Sequence, residues 1–201
     1  MKLKKWEIAL LITFVVFFAA ALLIKSDADA LSYKLIRLHV LANSDSEQDQ
    51  SIKLEVRNAV LAEANLILDG ADDRGQAQGL LLDGLNRLEN RANEVLAAHG
   101  TGYRAAVTLG EEFYPTRRYE SFSLPAGEYT SLMVRLGSGE GKNWWCVVFP
   151  PVCTDACAVD LSDDIPLTDN EISLITEEQG IYRIKFKTVE IIESILHMFG
   201  A

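Results

Sequence analysis

Between Ile8 and Ile24 the chain is apolar except at Thr13, and beyond it apolar and polar positions recur with two distinct periods. In Tyr33 to Leu41, Ile36, Leu38 and Val40 alternate with Arg37 and His39, which predicts a strand with one core face. The stretch "NSDSEQDQ" then supplies side-chain oxygens suited to capping, and Ser44-x-x-Glu47 fits a capping box. Ile52, Val56, Val60, Ala64 and Ile67 follow at helical spacing up to Asp69-Gly70. A second helix is predicted from about Gln76 to Ala98, with Leu81, Leu85, Leu88, Ala92 and Val95 on its inner face and Gly100 as its stop.

After Gly102 the period changes to two. Tyr103, Ala105, Val107 and Leu109 mark one half-buried strand, and Leu132, Val134 and Leu136 mark another. A strand near Tyr119 to Leu124 and one beginning at Tyr129 flank a turn at Pro125-Ala126-Gly127. "WWCVVF", Trp144 to Phe149, is apolar on both faces, which predicts a strand covered on both sides and central in its sheet. Near the end, Thr168-x-x-Glu171 opens a short helix, Tyr182 to Lys187 alternates as a strand, and Val189 to Phe199 reads as an amphipathic helix. Helices segregated from a mostly antiparallel sheet make the fold class α+β, preceded by a hydrophobic signal or anchor segment.

Charge gives that first segment its meaning. Lys2, Lys4 and Lys5 precede the apolar run, the layout of a secretory signal or N-terminal anchor with its amino terminus in the cytoplasm. Ala28 and Ala30 are small residues at the spacing a signal peptidase reads, so cleavage is expected after Ala30. Residues 1–30 then form a signal peptide or anchor, and residues 31–201 an exported domain touching the membrane only through that segment. The formal charge of the chain is −10, and the basic residues of the leader make the remainder more acidic still. Such a balance argues against nucleic acid and against anionic headgroups as partners.

Chemistry is sparse. "GSGEGKN", Gly137 to Asn143, fails the phosphate-loop pattern, because Leu136 stands where its first glycine belongs and Asn143 where Ser or Thr would follow the lysine. A hairpin loop explains these glycines without a ligand. Cys146 lies in an apolar strand that would solvate a thiolate badly, which disfavours a cysteine nucleophile with His39 and Asp45. Cys146, Cys153 and Cys157 lack a fourth zinc ligand nearby, and the Asp clusters lack the spacing of a calcium loop. No catalytic residue, metal or cofactor is therefore assigned. Outside the cytoplasm Cys146 and Cys153 suit a disulfide, with Cys157 able to displace either. Trp144 and Trp145, adjacent on a strand, point to opposite faces.

Three blocks carry a resemblance: "IRLHVLANSDSEQDQSIKLEVRNAVL" (Ile36 to Leu61), "LPAGEYTSLMVRLGSGEGKNWWCVVFPPVC" (Leu124 to Cys153) and "YRIKFKTVEIIESI" (Tyr182 to Ile195). In their order and content the chain resembles the stage II sporulation protein R family of endospore-forming bacteria. That resemblance implies a signalling protein and not an enzyme. It would be made in the forespore and exported into the space between forespore and mother cell. There it would trigger a septal membrane aspartic protease, the sporulation sigma-E factor-processing peptidase, which processes the mother-cell sigma factor precursor. The resemblance assigns no contact residues. Two surfaces are drawn from the sequence instead: the strand-to-helix corner with Arg37, His39, Asn43, Ser44 and Asp45, and the loop Gly139 to Asn143 with Lys142, Asn143, Trp144 and Trp145. The alternative from another class is an extracytoplasmic hydrolase of peptide or cell wall.

Overall fold

A computed structural model describes residues 4–119 and 122–151, with the helical backbone alone at residues 9 and 16–27. Its elements are α1 (Lys5–Lys34), β1 (Ile36–Leu41), α2 (Glu47–Ile67), α3 (Arg74–Ala98), β2 (Ala105–Tyr114), β3 (Arg117–Arg118), β4 (Ser123–Leu124), β5 (Gly127–Leu136) and β6 (Asn143–Phe149). The short helix after Thr168, the strand at Tyr182, the closing helix, Cys153 and Cys157 all lie outside the described residues. The chain divides into two units: one holds α1 as far as Ser32 and Phe113–Glu128, the other Tyr33–Glu112 and the described residues from Tyr129 onward.

In the first unit the apolar run is helical, as its composition requires, and the helix continues through Ala30 to Lys34. Tyr33 therefore ends a helix; the strand begins at Ile36. Leu10, Leu11 and Ile12 are all exposed, so α1 presents apolar side chains on every side there. Among the described residues no helix is long and apolar enough to cross a membrane. Among its other described residues β3 and β4 form a two-residue antiparallel ladder, beside which Tyr119 and Phe122 stack with centroids 4.6 Å apart.

The second unit is α+β, with a four-stranded sheet in the order β2-β5-β1-β6. β1 runs parallel to β5 and antiparallel to β6. β2 lies antiparallel to β5: Gly137 donates its N–H to the Arg104 carbonyl at one end, and Thr130 meets Glu111 at the other. The sheet is thus mixed. Parallel pairing of β1 with β5 is possible because the long crossover through α2, α3 and β2 separates them.

One face of the sheet, with Ile36, Leu38, Val40, Leu132, Val134 and Cys146, joins α2 and α3 in one apolar cluster. α2 contributes Ile52, Val56 and Val60, and α3 contributes Leu81, Leu88 and Ala92, at the spacing the sequence predicts. Two expectations are corrected here. Among the described strands β6 stands at the edge, and β1 is central; "WWCVVF" is apolar on both faces because Cys146 to Phe149 are buried on both, not because strands flank it on both sides. β1 has a second buried face as well, since Arg37 and His39 are buried like their apolar neighbours.

Candidate functional site

The β1–α2 corner is built around a carboxylate. Ser46 caps α2, its hydroxyl accepting the Asp49 N–H at 3.1 Å. The expected capping by Ser44 does not occur, because Ser44 turns inward and donates to Asp49 Oδ2 at 2.5 Å. Asn43 Nδ2 donates to the same oxygen at 2.9 Å, and the Tyr103 hydroxyl donates to Oδ1 at 2.6 Å. Asp49, 8% exposed, thus accepts three side-chain donors. The Ser44 hydroxyl foremost, then that of Tyr103, holds its carboxyl below the usual range against the opposing effect of burial. Burial and the Asp49 hydrogen bond push the Tyr103 phenol up.

Lys53 lies one turn further along α2 and is buried too. Its ammonium donates to Gln50 Oε1 at 2.7 Å and to the Lys142 carbonyl at 3.0 Å. Desolvation lowers its pKa first, Asp45 opposes, and Arg57 and Lys142 lower it further. Neither Asp49 nor Lys53 was among the candidate residues. Ser46-x-x-Asp49, a second reading of the capping pattern with Lys53 four residues on, is the sequence signal that would have found them.

The loop from Gly137 to Lys142 is fastened to this corner. Gly141 N–H donates to the Ala42 carbonyl at 2.9 Å, Ser138 Oγ to the Asn43 carbonyl at 2.7 Å, and Lys142 N–H to Asp45 Oδ1 at 2.7 Å. The loop is not the hairpin expected from its glycines. β5 and β6 are separated by β1, so the connection must pass over the end of β1, where the corner begins. That crossing explains the glycines: a Cβ on Gly137 would overlap the Asn43 side chain, and one on Gly141 would overlap the Ser44 carbonyl. The two surfaces proposed from sequence are therefore one. Asn43, Ser44, Asp45 and Lys142 meet there, with Asn143 beside them, exposed at the start of β6.

Arg37 and His39 do not belong to it. Arg37, fully buried, lies on the other face of the sheet with its guanidinium 4.8 Å from the Tyr129 ring centroid. His39, 6% exposed, stacks on Trp145 at 5.3 Å. Placing them on an exposed contact surface is corrected by that burial. Trp144 points the opposite way, as adjacent strand residues must, and packs under the Arg57 guanidinium at 4.3 Å.

His39 Nδ1 is 2.7 Å from Glu112 Oε1, and Ser131 Oγ donates to Glu112 Oε2 at 2.8 Å. Serine, histidine and carboxylate are the residue types of a hydrolytic triad, but here the serine hydroxyl faces the carboxylate. A triad needs the imidazole between the two, so this arrangement does not activate Ser131. Among the described residues no group of three His, Cys, Asp or Glu side chains forms a metal site. Cys146 is disulfide-bonded. The two cysteines available to it, Cys153 and Cys157, fall outside the described residues.

A family model described as stage II sporulation protein R matches residues 32–158, a span that contains the sheet, the corner and the loop. The stage II sporulation protein R of Bacillus subtilis (strain 168) is 37% identical over 118 residues, which is 59% of this chain and 53% of that protein. The match therefore spans about half the length of that relative. No solved structure matches the chain.

Proposed function

Because the chain belongs to the stage II sporulation protein R family, we propose that it is an exported signal that activates a septal membrane aspartic protease by binding it, and so triggers processing of pro-sigma-E. A role in sporulation goes with the family. The observation that carries the finer reading is the family match across residues 32–158, joined to the resemblance of the same blocks to a protease-activating signal. An activator of this kind works by differential affinity: it must bind the active state of the protease more tightly than the resting one.

The surface assigned to this contact is the latched corner and loop, with Asp45, Lys142 and Asn143 at its rim. Hydrogen bonds fix the backbone of both segments, so little ordering entropy opposes binding. The apolar side chains exposed on α1 at Ile8, Leu10, Leu11, Ile12, Phe14 and Val15 favour export with that segment at the membrane or cleaved after Ala30. The rest of the chain would act in the space between forespore and mother cell.

The test is reconstitution of the full chain with the protease and pro-sigma-E in vesicles. Lys142→Glu combined with Asn143→Ala alters the rim while keeping the Lys142 backbone bonds, and should lower processing at unchanged circular dichroism. Unchanged processing by this variant discards the surface. Failure of the native chain to stimulate cleavage discards the activator reading itself. Ser131→Ala should leave processing intact if the fold is intact; its loss in a folded variant would instead favour the hydrolase.

A further inference from the structure

The chain carries a net charge of −10, yet cations without carboxylate partners collect where the Gly137–Lys142 loop meets α2. Lys53 is the most unusual of them. It is 4% exposed, and a lysine is rarely buried to that degree unless it is paired. Its ammonium has neutral acceptors only, the Gln50 side-chain oxygen and the Lys142 carbonyl, and its third N–H has no acceptor among the described residues. Asp45 attracts it from a distance, with Oδ1 already taken by the Lys142 N–H, while Arg57 and Lys142 repel it.

Two further donors stand beside it. The Lys142 side chain is exposed, and among the described residues only its backbone is engaged. Trp144, two residues on, has an indole Nε1–H that is buried without an acceptor. The contacts form two rungs: Lys53 reaches Lys142, and one helical turn later Arg57 lies over the Trp144 ring while donating to the neutral Asn58 Oδ1. Elsewhere on the helices the arginines have carboxylates, Arg87 with Glu63 and Arg91 with Glu94. Buried donors left in surplus at one place are what an arriving anion would satisfy.

We infer that the junction of Lys53, Lys142 and Trp144 is a docking point for a carboxylate side chain on an acidic segment of the partner protein. This names the partner's chemistry for the contact surface proposed above and rests on that assignment. The carboxylate meets the exposed Lys142 ammonium, and Lys53 acts from behind through its field, which is screened little at a buried position. A peptide carboxylate is favoured over a lipid phosphate by the charge around the junction. Asp45 and Glu140 are exposed beside it, and with the net charge of the chain they repel a densely anionic surface while leaving room for a single charged side chain. The same net charge disfavours a second copy of this chain as the occupant.

The experiment follows the amides and indole N–H groups of the full chain, in neutral detergent micelles, by NMR. The probes are the blocked pentapeptide Gly-Asp-Glu-Asp-Gly, its amide analogue Gly-Asn-Gln-Asn-Gly, and phosphatidylglycerol added to the micelles. The acidic peptide should give saturable shifts centred on the Lys142 and Asn143 amides and the Trp144 indole, weakened by added salt. It should bind about fivefold more tightly than the amide analogue. Lys142→Gln should weaken it about threefold, the scale of one exposed ion pair, and Lys142→Glu should abolish the preference between the peptides. Lys53→Met should reduce affinity for the acidic peptide and leave that for the amide analogue unchanged, a split that a merely structural role would not produce. Arg91→Gln, which removes the same charge from α3, should change neither. Absence of saturable shifts up to about 5 mM would overturn the assignment, as would shifts centred elsewhere or a preference unaffected by Lys142→Glu. Lys142-dependent shifts with phosphatidylglycerol and none with the peptide would overturn it in favour of a membrane. A chain that binds the acidic peptide without stimulating cleavage discards the activator reading alone; one that stimulates cleavage without binding the peptide discards the carboxylate site alone.

Discussion

Removing the Asp49 carboxylate tests whether the corner is held by that one group. Asp49→Ala deletes three donors' acceptor at once: Asn43, Ser44 and Tyr103. A hydrogen bond to a charged group contributes about 1.5–3 kcal/mol, but Asn43, Ser44 and Tyr103 are all half-buried and can turn in part to water. Loss of the three together should cost the variant about 3–4 kcal/mol in all. At about 2–4 °C per kcal/mol for a chain of this size, the Tm should fall by about 10 °C. Tyr103→Phe alone should cost about 1.5–2 kcal/mol, and the double variant less than the sum, with a coupling of about 1–2 kcal/mol.

The same group sets an acid limb. Its folded pKa is depressed, so its contribution is complete above the unfolded carboxylate value of about 4 and disappears as pH falls through the lower folded value. Urea denaturation followed by tryptophan fluorescence, from pH 7 down to about 3, measures both effects. The acid limb should be shallower in Asp49→Ala. Additive losses from Asp49→Ala and Tyr103→Phe, or an unchanged acid limb in the Asp49 variant, would refute this account of the corner.

Two further outcomes follow from the same region. Gly141→Ala pushes a Cβ against the Ser44 carbonyl, so it should destabilise by about 2 kcal/mol or more and release the loop, seen as faster exchange of the Gly141 and Lys142 amides. Peptide mapping of alkylated, unreduced protein should recover Cys146 linked to Cys153 with Cys157 free. Closing so short a loop contributes about 2.5 kcal/mol on the chain-entropy model, so reduction should lower the Tm, and a Cys146–Cys157 peptide would overturn the pairing.

Local periodicity was a good guide to what is local. α2 and α3 begin and end within a few residues of where their apolar rows and the glycines at 70 and 100 place them, because 3.6-residue spacing is set by the helix itself. Strand order is not a local property. Nothing in "GSGEGKN" distinguishes a hairpin from a loop crossing over β1, since both need glycines; only the partner of β5 decides, and that partner lies across α2 and α3. Arg37 and His39 misled for the same reason. Alternation identifies the face turned toward the helices but not whether the opposite face is covered. Ser44 and Ser46 both carry capping chemistry, and the choice between them rests on Tyr103, more than fifty residues away, which draws Asp49 inward.

The position of β1 sets a timetable for the chain. The first strand made is an inner one, and its two neighbours pair with it through Thr130 and Phe149, near the end of the described residues. A chain emerging amino terminus first, from a ribosome or from a pore, can form α2 and α3 early, but β1 waits with both edges bare. Closure of the sheet is a late, non-local event, the kind of contact that slows folding. Until then "IRLHVL" is an unpaired strand exposed to any other strand nearby. The same delay keeps the chain threadable, since no sheet locks it before most of its length has passed.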